Sequence, residues 1–77
     1  MSEQNHDHYF KDVTHLKTID VYRVLDLFGV SNACVQHAVK KLLCSGQRGV
    51  KDTQQDVQEA ITSLLRYLEM QTEDAKK

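Results

Sequence analysis

Residues 52–68 read DTQQDVQEAITSLLRYL, and the placing of their apolar members decides how the chain folds. Val57, Ala60, Ile61, Leu64, Leu65 and Leu68 recur at the three- and four-residue intervals of one helical face. A half-buried strand would alternate every second residue, and this run does not. The stretch is therefore expected to be a helix, opening at Asp52 with Gln55 three positions on as a variant of the capping box. Past Met70 the stripe is lost, so residues 71–77 are expected to fray as a polar tail.

Moving upstream, the chain has no proline, and its three glycines, Gly29, Gly46 and Gly49, do the punctuating. Between Gly29 and Gly46, Val35, Ala38, Val39, Leu42 and Leu43 form a second apolar stripe. Ser31 is the expected N-cap of that helix, and its water-facing residues are expected to be Gln36, His37, Lys40 and Lys41. Before Gly29 a first helix is expected from Thr18 as N-cap, with Asp20 in its first turn and Ile19, Tyr22, Leu25, Val21 and Phe28 on its buried side. Residues 1–17 are polar and show neither helical nor strand period. The expected architecture is all-α: an extended N-terminal arm over 1–17, a three-helix domain over 18–70 in which helices two and three form an α-hairpin against which helix one packs, and a tail over 71–77.

Composition narrows function. At 77 residues the chain makes one domain with a small core, for which self-association is one remedy. A charged fraction of 27% with a net charge of -1 creates no global field that would draw nucleic acid or an anionic membrane, so any electrostatic function must be local. No apolar run approaches the roughly 20 residues of a membrane span, and the N-terminus is not patterned as a signal peptide, so a soluble cytoplasmic protein is expected. Cys34 and Cys44, ten positions apart along one expected helix, stand too far apart to pair, as suits a reducing compartment, and are expected to act as small hydrophobes.

The one chemically distinctive corner is the connection 46–51, GQRGVK, with Lys40 and Lys41 just before it. Two glycines that free backbone N–H groups, the cations Lys40, Lys41, Arg48 and Lys51, and a helix start together suit a phosphate or other compact anion. Asp52 at the helix start opposes this, and basic residues near a helix C-terminus are favoured by the dipole alone, so a merely solvated corner is the rival reading. His6, His8, Cys34 and His37 do not make the two tight ligand pairs of a structural zinc site, and no metal or cofactor is expected. Asp52, Asp56 and Glu59 share a helix face that could serve a divalent cation, but Asp20 and Asp26 do not supply the second acidic pair; a solvated face is expected. The chain has no Walker-type loop, nucleophile elbow or triad order, so no catalytic residue is assigned.

The order of elements adds a resemblance. His8-Tyr9, Ile19-Asp20-Val21, Ala38-Val39-Lys40, Gly46, Arg48-Gly49 and Asp56-Val57 with Ala60 and Leu64 resemble the SaV-like family of small bacteriophage proteins, which includes a phage nucleotide kinase lacking a Walker loop. The similarity spans residues 6–68 and rests on short elements. It implies a helical phage protein with nucleotide handling in one branch, with His8, Tyr9, Lys40, Arg48 and Asp56 at the matching positions. The family's arginine and aromatic fall here on Cys44 and Lys41, which weakens phosphoryl transfer more than binding, because a bidentate guanidinium is hard to replace. The leading expectation is an oligomeric binding module that holds a nucleotide or other phosphate-bearing ligand on Lys40, Lys41, Arg48 and Lys51, with Tyr9 and His8 closing over it. Its alternatives are a phage-encoded protein that disables a host or defence protein through a helical face, supported by the apolar excess at Val21, Val24, Leu27 and Phe28, and nucleotide phosphoryl transfer.

Overall fold

A computed structural model describes residues 8–47 and 50–76, with the backbone alone at 50 and 51. Its helices are α1 (Val21–Leu27), α2 (Ala33–Leu43) and α3 (Val50–Ala75), and no strand is present among the described residues. The fold is all-α. None of these helices is long and apolar enough to cross a membrane. The chain divides into two compact units, Met1–Ser31 and Asn32–Lys77.

In the first unit the arm is turned rather than uniformly extended. Asp12 Oδ1 accepts from the Thr14 amide at 2.9 Å and from the Thr14 hydroxyl at 2.7 Å, and the Leu16 amide donates to Val13. These bonds hold the Asp12 carboxyl below its usual range, the backbone bond first. Helix α1 starts two residues later than expected, because Asp20 is its N-cap in place of Thr18: the carboxylate accepts from the Arg23 amide at 2.9 Å. Its end is a Schellman motif, with Gly29 N–H donating to Asp26 and Val30 N–H to Leu25. That geometry needs the φ of +68° at Gly29, a left-handed conformation that a side chain would strain. Of the side chains expected to be buried on this helix only Leu25 is, while Ile19, Tyr22 and Phe28 are exposed. Seven residues of helix present one narrow inward stripe, and that stripe is centred on Leu25. Phe28 takes a Lys11 ammonium over its ring at 5.2 Å instead.

The second unit is the expected hairpin. Asn32, not Ser31, caps α2, accepting from the amides of both Cys34 and Val35, two bonds that satisfy two otherwise orphaned donors. Cys44 is the C-cap, and Gly46 reverses the chain at φ +80°, so close to α3 that a Cβ there would stand 2.8 Å from Thr53 Oγ1. Contacts between His37 and Ser63, and between Lys41 and Asp56 and Glu59, run in opposite chain directions and make the pair antiparallel. This register sets Ala38 opposite Ala60, and both are 2% exposed. Two alanines at the seam let the helix axes approach closely.

Around that seam the hairpin has two unlike sides. Turning one way from Ala38 and Ala60 leads to His37, Lys41, Asp56, Glu59 and Ser63, which bond across the helices. Turning the other way leads to Val35, Val39 and Leu42 on α2 and to Val57, Ile61, Leu64 and Leu68 on α3. The expectation that these stripes form the core is corrected here: among the described residues the buried hydrophobics are Leu25, Ala38 and Ala60, while Leu42, Val57, Ile61, Leu64 and Leu68 are exposed. The reason is geometric. Helix α2 lies against the Ala60 edge of the α3 stripe, about 70° from its centre.

Helix α3 also starts earlier and ends later than expected. It opens at Val50, which puts Asp52 inside the first turn, and Gln55 donates to Glu59 instead of reaching back to a cap. It runs on to Ala75 where fraying was expected, and Arg66 bridges Glu69 at 3.2 Å and Glu73 at 2.9 Å along that extension. The two carboxylates, Glu73 first, raise the Arg66 guanidinium above its usual value. At about 1.5 Å per residue α3 is near 39 Å long and α2 near 16 Å, so the last turns of α3 extend past its hairpin partner.

Candidate functional site

The polar side of the hairpin holds an open cleft of about 410 Å³ lined by His37, Lys40, Lys41, Cys44, Gln47 and Asp56. Its α2 residues follow from spacing: 37, 40, 41 and 44 recur at three and four, which puts them along one helical flank. Its α3 wall is Asp56, a carboxylate only 6% exposed. The size is within the range of small-molecule sites.

Lys41 is not one of a row of cations turned to water, as the sequence suggested. Its ammonium stands 2.6 Å from Glu59 Oε1 and 3.8 Å from Asp56 Oδ1, and its side chain is 30% exposed. It acts as a strut across the hairpin. The hydrogen bond from Lys41 holds the Glu59 carboxyl below its ordinary value of 4.5, and the bond from Gln55 adds to this. Asp56 and Glu59 therefore do not form the solvated acidic face expected of them: the first is buried and the second is spanned by Lys41 and Gln55. Burying Asp56 is tolerable because the cation beside it offsets the lost hydration. His37, expected to face water, is exposed but keeps a bond from its Nδ1 to Ser63 Oγ.

Lys40 is half-buried and lines the cleft, and Lys40 and Lys41, being neighbours, point about 100° apart. Of the expected anion corner, Lys40 and Lys41 are thus brought to one cleft, with Lys41 already engaged. Arg48 and Gly49, the side chain of Lys51, and His6 lie outside the described residues. His8 and Tyr9 belong to the first unit, with ring centroids 4.1 Å apart, and Tyr9 is 61% exposed. The expected closing of Tyr9 on Arg48 involves a residue outside the described set.

Cys44 is exposed rather than packed away, and Cys34 is half-buried; both are free thiols. No group of three or more His, Cys, Asp or Glu residues able to hold a metal occurs among the described residues. Sequence reasoning missed Gln47 and Ser63, and it named His37 and Asp56 in other roles. The missed signal was the spacing of His37 and Lys41, four apart on one face, opposite Asp56 and Ser63, seven apart on one face of the returning helix.

The groups in the cleft are mixed in character. Lys40 and Lys41 are cationic, Asp56 is an acceptor, and Gln47 and His37 serve as donor or acceptor. Such a set can engage an anion and a hydroxyl or amine donor on one ligand. Its imidazole, His37, is hydrogen-bonded to the Ser63 hydroxyl on α3. Comparison of the chain with protein-family models, with curated proteins and with solved structures gave no match.

Proposed function

We propose that the chain is a small binding module of bacteriophage type, working in the host cytoplasm, that holds a nucleotide or related phosphate-bearing ligand in the cleft between α2 and α3. The observation that carries this reading is the juxtaposition of Lys40 and Lys41 with the buried Asp56 around one cleft of about 410 Å³. Lys40 contacts phosphate. Lys41, tied to two carboxylates, orients the wall, and Asp56 and Gln47 meet donors on the sugar or base. A cleft with both signs of charge favours a ligand that has an anion and donors together over bare phosphate. Cys44 lines the cleft at the position where the resembling family has arginine, and this replacement favours binding over phosphoryl transfer.

Calorimetric titration with nucleoside mono- and diphosphates, beside inorganic phosphate, tests the reading. Lys40→Ala is expected to weaken the best nucleotide about tenfold, the worth of one charge-assisted hydrogen bond. Heats at the noise level for every nucleotide, with protein near a millimolar, dispose of it.

The second reading, a phage-encoded interaction protein that disables a host or defence protein, is favoured by a different observation, the exposed apolar side of the hairpin. Capture of one stoichiometric partner, lost in Leu64→Glu but kept in Lys40→Ala, separates it from the first.

A further inference from the structure

The apolar side of the hairpin is the largest feature that the ligand cleft leaves unexplained. Along α3, Val57, Ile61, Leu64 and Leu68 follow a four-three-four spacing, the a/d repeat of a helix–helix seam, and they are 39%, 45%, 40% and 58% exposed. Leu42 of α2, 50% exposed, lies on the same side, between the half-buried Val35 and Val39 and the α3 row. We infer that a second copy of this chain covers this side, hairpin on hairpin, in a symmetric four-helix bundle.

Three observations select a second copy as the occupant. The first is charge. Lys40, Lys41, Asp56, Glu59 and Arg66 all fall on other arcs of the two helices, and no charged side chain among the described residues lies on the apolar side. A twofold interface sets each patch against itself, so a patch with any net charge would repel its copy; this one is neutral throughout. The flanking residues are Gln54, Gln58, Gln71 and Thr72, uncharged and able to hydrogen-bond at a rim.

The second is area. The five exposed side chains Leu42, Val57, Ile61, Leu64 and Leu68, at roughly 80 Å² each, with smaller shares from Val35 and Val39, give about 450–500 Å² per copy and about 900–1,000 Å² for the pair, close to the lower bound of a specific interface. The third is need. With Ala38 and Ala60 as its buried hydrophobics among the described residues, the hairpin has little core of its own. The cover must be present whenever the chain is folded, and the partner always present at equal concentration is the chain itself. The inference is independent of the ligand proposed above, since the cleft and the apolar side lie on opposite faces of the same seam.

Sedimentation equilibrium of the full chain between about 5 and 200 μM tests it. The expected result is twice the 8.9 kDa chain mass, with a melting temperature that rises with concentration. Leu64→Glu and Ile61→Lys are each expected to weaken self-association at least 100-fold, and an equimolar mixture of the two to regain it in part. Arg66→Ala, on another arc, leaves the mass unchanged. A monomer that is fully helical by circular dichroism and melts at one temperature at all concentrations overturns the inference. So does a dimer whose mass neither charged variant lowers, because its interface is then elsewhere. Should both variants unfold, isotope-filtered NOEs in a mixed labelled and unlabelled wild-type sample decide: intermolecular contacts from the Ile61 and Leu64 methyl groups support the inference, and their absence refutes it.

Discussion

Removing the Lys41 ammonium, as in Lys41→Met, takes the strut out of the hairpin while keeping most of its apolar stem. Two unit charges 3.8 Å apart at an effective dielectric near 20 attract by about 4 kcal/mol, which is the upper limit for the Lys41–Asp56 pair. Lys41 is 30% exposed and reaches Asp56 only at the edge of bonding distance, so hydration and side-chain ordering reduce the net coupling to about 1–2 kcal/mol. The single variant costs more than this, about 2–3 kcal/mol, because it also removes the closer Lys41–Glu59 bond. Urea unfolding followed by far-ultraviolet circular dichroism, at one fixed protein concentration, measures both quantities in the cycle of wild type, Lys41→Met, Asp56→Asn and the double variant. Asp56→Asn keeps the volume and removes the charge, and Glu59 is the same in all four proteins. A coupling below about 0.3 kcal/mol, within the error of additive sites, refutes the claim that this ion pair helps hold α2 on α3.

The close seam makes Ala60→Leu destabilising by about 2–3 kcal/mol in the same urea assay, since three extra carbons enter a contact where Ala60 is 2% exposed. Gly46→Ala should cost about 1–2 kcal/mol through the left-handed φ of +80° and the 2.8 Å approach to Thr53 Oγ1; an unchanged midpoint would show that the turn can relax. The depressed Glu59 carboxyl stabilises the folded state in full above its unfolded value near 4.5, and that contribution is lost as pH falls through the lower folded value. Melting temperatures taken from pH 6 down to pH 3 should therefore fall below about pH 4.5, less steeply in Glu59→Gln, with Asp12 contributing in the same direction.

The helices and their order were legible because apolar spacing of three and four persists in α2 and α3, and because Gly29 ends α1 where a stop was expected. The choice between neighbouring caps was not. Thr18 against Asp20, and Ser31 against Asn32, are decided by which side chain meets the free amides once the backbone is placed. Nor was it legible which edge of the α3 stripe would be covered. From Ala60 round to Leu65 the stripe spans about 140°, more than one neighbouring helix can cover, and periodicity does not say where the partner lies. At the site, Lys40 and Lys41 were read as one pair although adjacent residues on a helix cannot share a direction. The Lys41 partners came from α3, whose register against α2 depends on how the chain turns at Gly46.

The alanine pair at the seam bears on how this hairpin tolerates change. Ala38 and Ala60, each 2% exposed, carry a methyl group with no rotamers to rearrange, so neither can adjust if the spacing of the two helices changes. A larger residue at either position has nowhere to swing aside, and a glycine would loosen both rods. Inherited variation should therefore avoid these two methyl groups and gather on the arcs that face neither the cleft nor the apolar side.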